Sequence, residues 1–139
     1  MIAYIDSSVL LRVVLGQPDK LAGWSDISRP VTSALTEVEC LRTLDRRYRQ
    51  GFLSDEELPQ RRSLTLALLR RMEQVDITNT VLMRAANPFP TPLGTLDAIH
   101  LSTALLWNTS GRDPLVMATH DSQLQLAAQA MGLGVVARN

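Results

Sequence analysis

Apolar residues run through Ile2, Ala3, Tyr4 and Ile5, meet a carboxylate at Asp6, and then respace to Val9, Leu10, Val13 and Val14. The first set is β-branched, aromatic or small and predicts a short buried strand, while the second keeps the 3.6-residue period of a helix beginning at Ser7. Asp6 therefore stands at a strand-to-helix junction. Gly16-Gln17-Pro18-Asp19 reads as a turn, and Lys20 to Trp24 as a short helical piece ahead of the breaker Arg29-Pro30. Val31-Thr32-Ser33 is a second short strand. Ser33 is placed to cap a helix with apolar positions at Leu35, Val38, Leu41 and Leu44 that ends near Gly51.

Ser54 and Glu57 have the spacing of a capping box, opening a long helix in which Pro59 is tolerated because it falls near the first turn. Leu64, Leu68, Leu69 and Met72 are its expected buried stripe. Val75-Asp76-Ile77 is a weak strand, followed by a helix from Asn79 to about Asn87 and by the proline-rich surface loop 88–94. Thr95 can cap the next helix, whose apolar positions are Leu96, Ile99, Leu101, Ala104, Leu105 and Leu106. Leu115 to Ala118 is a late strand, Leu124 to Met131 marks a helix ending at Gly132, and Val135-Val136 predicts an edge strand. Strands alternating with helices predict an α/β fold, a three-layer α/β/α arrangement with a mainly parallel central sheet.

Composition narrows this picture. A chain of 139 residues fits one domain, 1–139, able to bury a sizeable core. Basic and acidic residues balance at 14 each, so no global basic field holds a polyanion and any such ligand must be held locally. All the basic residues except Lys20 are arginine, which reads as a compositional bias, and the arginines of the helical hairpin over residues 34–72 form a charged face that is ordinarily just solvated. The single cysteine, Cys40, excludes an internal disulfide and a thiolate metal cluster and suits a reducing compartment. The apolar start lacks a basic n-region and a convincing cleavage site, and no apolar run approaches the roughly 20 residues of a membrane span. A cytoplasmic protein is expected, with no membrane partner.

Four carboxylates change the picture again. Asp6 follows the first strand, Glu39 lies in the more apolar half of its helix, Asp97 falls in the first turn of a helix, and Asp121 follows the late strand as Asp6 follows the first. Each alone reads as a cap or a satisfied polar group, since Asp is among the best N-cap residues. In α/β sheets, however, the crevice beyond the strands' carboxyl ends collects such positions. Like charges about 4 Å apart repel by roughly 4 kcal/mol per pair at an effective dielectric near 20, more than caps offset. A hard divalent cation neutralises such a group, Mg²⁺ or Mn²⁺ rather than zinc, because neither cysteine nor paired histidine ligands are available. That chemistry suits phosphoryl transfer. His100, one turn beyond Asp97, reads as a packed or hydrogen-bonded histidine and His120 as a rim residue; a histidine acid/base mechanism leaves the converging acids unexplained.

The segments YIDSSVLL, SALTEVECLR, TLDAIHLSTAL and ATHDSQL, in that order, resemble the PIN domain, and within it the VapC-type toxins of bacterial toxin-antitoxin pairs. The resemblance spans nearly the whole chain. It implies a metal-dependent endoribonuclease with Asp6 and Asp97 as the main metal ligands, and Glu39 and Asp121 completing the pocket through waters or a second ion. Ser8 and Thr119 match polar positions that support the carboxylates. The resemblance also implies a homodimer restrained by a cognate VapB-like antitoxin laid across the groove. For the RNA substrate, Arg46, Arg47 and Arg49 are the candidate phosphate contacts. Two other readings stay open: a PIN nuclease of housekeeping RNA processing, and a non-catalytic interaction module whose acids are caps. A Rossmann-type nucleotide binder is disfavoured, because Asp6-Ser7-Ser8-Val9 contains no glycine-rich phosphate loop.

Overall fold

The computed structural model describes residues 1–19, 21–109 and 113–136. In chain order the elements are β1 (Ile2–Ile5), α1 (Ser7–Val14), β2 (Arg29–Ser33), α2 (Ala34–Arg49), α3 (Glu57–Leu69), β3 (Glu73–Val75), α4 (Asn79–Ala85), α5 (Thr95–Thr109), β4 (Leu115–Ala118), α6 (Ser122–Ala130) and β5 (Gly134–Val136). The strands form one sheet in the order β3-β2-β1-β4-β5, and every pairing is parallel. The expected three-layer α/β/α fold is what these residues form.

The period-two alternation of β1 builds both faces of the core. Ala3 and Ile5 pack with Val9, Leu10 and Val14 of α1, Cys40 and Leu44 of α2, and Leu69 of α3. Tyr4 turns the other way, to Leu101 and Ala104 of α5 and Leu124 and Ala127 of α6. Strand β4 stays in register with it, Tyr4 opposite Met117 and Ile5 opposite Ala118. Thus α1, α2 and α3 cover one face and α5 and α6 the other, with α4 packed on α5. The edge strands β3 and β5 are only three residues each, which leaves little open edge for another chain to pair with.

This order places a switch point at the centre. From β1 the chain steps outward to β2 and β3, then returns to lay β4 on the opposite side of β1, opening a crevice beyond the carboxyl ends of these two strands. The Asp6 N–H donates to the Ala118 carbonyl at 3.0 Å and ties the two ends together. Among the described residues no helix is long and apolar enough to cross a membrane.

Several local expectations are corrected. The helical piece before β2 is a 3-10 turn at Trp24–Asp26 rather than a segment from Lys20, which lies outside the described residues. Pro30 does not break the chain but sits inside β2: β1 pairs with β2 from Arg29, whereas β3 pairs only from Val31, so the missing N–H falls where β2 has a single neighbour. Strand β3 is Glu73–Val75, ahead of the expected 75–77, because the register with β2 ends at Ser33 opposite Val75. The α5 start is also displaced: the Ala98 N–H bonds the Gly94 carbonyl at 2.9 Å, so Gly94 rather than Thr95 takes the capping place.

Two helices bury most of their expected stripes, Leu44 of α2 and Leu69 with the following Met72 of α3, but each has one expected position turned outward. In α2 the buried positions are Thr36, Cys40 and Leu44, and Val38 is 51 % exposed. Thr36 can be buried because its hydroxyl pairs with that of Thr32 at 2.8 Å, and Thr32 in turn donates to the Ile5 carbonyl at 2.7 Å. In α3 the buried Thr65 donates to the Arg61 carbonyl and Leu64 faces outward. Both capping predictions at the hairpin hold: Ser33 Oγ accepts from the Leu35 N–H at 3.0 Å. Ser54 and Glu57 exchange reciprocal bonds at 3.0 and 3.1 Å.

Candidate active site

Asp6 and Asp121 each immediately precede the helix that follows a central strand, Asp6 as the single residue between β1 and α1 and Asp121 as the last of three between β4 and α6, and their side chains act differently. Asp121 caps α6, its Oδ1 accepting the Leu124 N–H at 3.0 Å. Asp6 has the extended backbone of an N-cap but makes no side-chain cap bond, which overturns the plain capping reading. Its Oδ2 instead accepts from Ser8 Oγ and from Thr119 Oγ1, both at 2.8 Å. The direction of these bonds follows from the surroundings. Ser8 Oγ accepts the His120 N–H and Thr119 Oγ1 accepts the Asp121 N–H, each at 3.0 Å, leaving each hydroxyl's own hydrogen for Asp6. Asp6 is 4 % exposed, and the two hydrogens donated to one oxygen fix the orientation of its carboxyl group.

The remaining acids close in from the other elements. Glu39, on the sixth residue of α2, accepts a short hydrogen bond from His100 Nε2, and the same nitrogen lies 3.7 Å from Asp6 Oδ1. His100 is fully buried, and its Nδ1 meets the Tyr4 hydroxyl at 2.7 Å. It is thus packed and hydrogen-bonded, as expected. Burial pulls the His100 pKa down, but the Glu39 hydrogen bond and the charges of Asp6, Glu39 and Asp97 together outweigh it and raise the value. Asp97, half-buried in the first turn of α5, has its carboxyl pushed up to about 6 by burial first, then by Asp121 and Asp6; His100 opposes the shift and Glu39 adds to it. Cys40 behind them is pushed up to about 12 by burial, then by Glu39 and Asp6, and is an inert core thiol.

Asp121, Asp6 and Glu39 therefore all act on Asp97 at the switch point. Among the described residues the ion pairs of Asp6 and Glu39 are with His100 alone, and no arginine pairs with any of the four; the pairs Arg29–Glu73 and Arg49–Asp45 lie elsewhere. Nor are any three His, Cys, Asp or Glu side chains among the described residues arranged to hold one ion between them. That restricts the fit. Mg²⁺ suits it, since this ion keeps several waters and takes one or two carboxylates from protein, whereas zinc needs a closed set of nitrogen or sulfur ligands. Such a cation would relieve the part of the Asp97 shift that Asp121, Asp6 and Glu39 add to the larger effect of burial.

A groove of about 340 Å³ opens beside Glu39, lined by Leu35, Val38, Arg42, Arg46 and Leu96. Arg46 bonds the Thr43 hydroxyl at 3.3 Å within it. Arg49 is paired with Asp45 at 3.0 Å, and neither it nor Arg47 lines the groove. Sequence reasoning missed Arg42, although its place three residues after Glu39 and four before Arg46 was the available signal. It also missed Tyr4, whose hydroxyl in an otherwise apolar strand required a buried partner.

The PIN domain family matches residues 3–129. Ribonuclease VapC35 of Mycobacterium tuberculosis is 37 % identical over 142 residues, covering 96 % of this chain and 95 % of that protein. Ribonuclease VapC46 of the same organism is 32 % identical over 137 residues, with 96 % and 95 % covered. Among solved structures, VapBC2 from Rickettsia felis, bound to a DNA fragment from its promoter, aligns over 100 % of both chains with a TM-score of 0.70 and 13 % identity, a likeness of fold. With these relatives along nearly its whole length, the chain belongs to the PIN-domain family and is of the VapC type.

Proposed function

We propose that this protein is a Mg²⁺- or Mn²⁺-dependent endoribonuclease that hydrolyses RNA phosphodiester bonds, acting in the cytoplasm as the toxin of a toxin-antitoxin pair. The observation that carries this reading is the set of four carboxylates, uncompensated by arginine or lysine among the described residues, at the switch point of a VapC-type chain. Asp6 and Asp97 would hold the ion, with Glu39 and Asp121 reaching it through waters or a second ion. When bound, the metal supplies a water of lowered pKa and stabilises charge on the phosphate and leaving oxygens.

The chain's own residues prepare the rest. Ser8 and Thr119 orient Asp6 through Oδ2, turning Oδ1 to the side where His100 lies. Arg46, joined by Arg42, is placed to bind substrate phosphates in the groove beside Glu39, while Arg47 and Arg49 stand outside that groove. Residues 1–139 act as one domain in this reading, paired as a homodimer. The apolar walls Leu35, Val38 and Leu96 offer a surface for a VapB-like antitoxin, in keeping with the VapBC complexes that share the fold. Purified protein incubated with RNA tests the reading. Cleavage should require Mg²⁺ or Mn²⁺ and disappear in Asp6→Asn, and cleavage persisting in excess EDTA would overturn it.

A further inference from the structure

The chain of hydrogen bonds behind the acids reaches across three elements: Tyr4 on β1, His100 on α5 and Glu39 on α2. Tyr4 and His100 are fully buried, and their rings meet edge-on with centroids 5.8 Å apart. The imidazole has little freedom to turn. Its Nε2 faces two acceptors, Glu39 Oε1 and Asp6 Oδ1, so this nitrogen carries a hydrogen whether the ring is neutral or charged. In the neutral ring Nδ1 accepts from the Tyr4 hydroxyl, and in the charged ring it donates to the same oxygen. Either way the bond from Nε2 to Glu39 is kept.

Glu39 needs such an anchor. Its side chain is partly exposed at the edge of the groove, and a free glutamate there would spread over several rotamers. We propose that Tyr4 and His100 are positioning residues for Glu39: Tyr4 fixes the His100 ring, and the ring's Nε2–H holds the Glu39 carboxylate in place beside Asp6. The importance of this for RNA cleavage rests on the function proposed above, whereas the hydrogen-bonded chain itself does not. Outer partners of this kind orient the groups that meet a metal or substrate and are felt almost as strongly as those groups themselves.

The test has two arms. In the first, the metal-free, RNA-free protein with ¹⁵N-labelled histidine is studied by NMR. His100 should show a slowly exchanging Nε2–H signal that shifts in Glu39→Gln and exchanges faster by about tenfold or more in Tyr4→Phe, which keeps the ring packing while freeing the imidazole. A signal indifferent to both variants overturns the proposal. In the second, His100→Leu should lower kcat for RNA cleavage by about tenfold or more with KM nearly unchanged, and His100→Gln, which retains a donor for Glu39, should recover most of the loss. In a Glu39→Ala background, His100→Leu should add less than about twofold, because one interaction is removed twice. Full additivity, or wild-type kcat in His100→Leu, overturns the proposal. If the wild type itself cuts no RNA with Mn²⁺, the proposed function falls, and the NMR arm alone still decides whether Tyr4 and His100 position Glu39.

Discussion

Asp6 and Asp121 show how one residue type, just ahead of a helix in both places, is turned to two uses by a shared neighbour. Thr119 is that neighbour: it gives its hydrogen to Asp6 and accepts the Asp121 N–H, so it joins the two junctions. Thr119→Val keeps the shape and removes both bonds. It should destabilise the protein by about 1–3 kcal/mol, read by urea unfolding, because the buried Asp6 carboxylate keeps Ser8 but loses its second donor and the Asp121 N–H loses its acceptor. Asp97 predicts a pH effect of definite sign. Its folded pKa of about 6 lies above the ordinary 3.8, so the stabilising preference for the protonated carboxyl is fully present below 3.8 and lost as pH rises through about 6. In EDTA, the melting temperature of Asp97→Asn relative to wild type should therefore climb between about pH 4 and pH 8, and added Mg²⁺ should stabilise wild type more at the upper end. A pH-independent difference would contradict the crowding of the four acids. Asp6, Asp97 and Asp121 could be singled out because each lies beside a strand end or helix start, and Glu39 because it lies among the apolar positions of its helix. The Tyr4–His100 bond was not, since it joins residues 96 apart and no local pattern marks it.

At the scale of elements, capping signals translated directly into structure, as Ser33 and the Ser54–Glu57 pair show, because a cap is a bond between near neighbours. Helix faces did so less well. The threonines Thr36 and Thr65 take core positions by satisfying their hydroxyls locally, while Leu44 and Leu69 stay buried and Val38 and Leu64 face outward. Apolar periodicity alone placed Leu44, Leu69 and Met72 in the core correctly, erred at Val38 and Leu64, and did not find the two threonines. The consequence is measurable in α2. Leu44→Ala should destabilise by about 2–5 kcal/mol, whereas Val38→Ser should stay within about 0.5 kcal/mol of wild type, both by chemical denaturation. Similar losses at the two positions would show that the buried face of α2 is not the one described. Pro30 and β3 teach the same lesson for the sheet: strand limits follow the neighbour's register, which a single segment does not contain.

For the whole molecule, the balanced charge leaves RNA affinity to a local set, the groove beside Glu39 with Arg42 and Arg46. If these bind phosphates, Arg42→Ala or Arg46→Ala should weaken RNA binding and each reduce the slope of log affinity against log salt by about 0.7, while Arg49→Ala, whose partner is Asp45, should change it little. Equal slopes in all three would remove the groove from the account. The alternation of strands and helices made the layers legible, and the switch point then follows from the strand order, where Asp97 lies within the field of Asp6, Glu39 and Asp121. The most direct test of the central claim is to map RNA ends after treating total RNA with wild type and with Asp97→Asn in the presence of Mg²⁺. The account predicts discrete new ends that depend on wild-type protein and on the metal, and their absence with Asp97→Asn. The same ends from both proteins, or ends that survive EDTA, would contradict it.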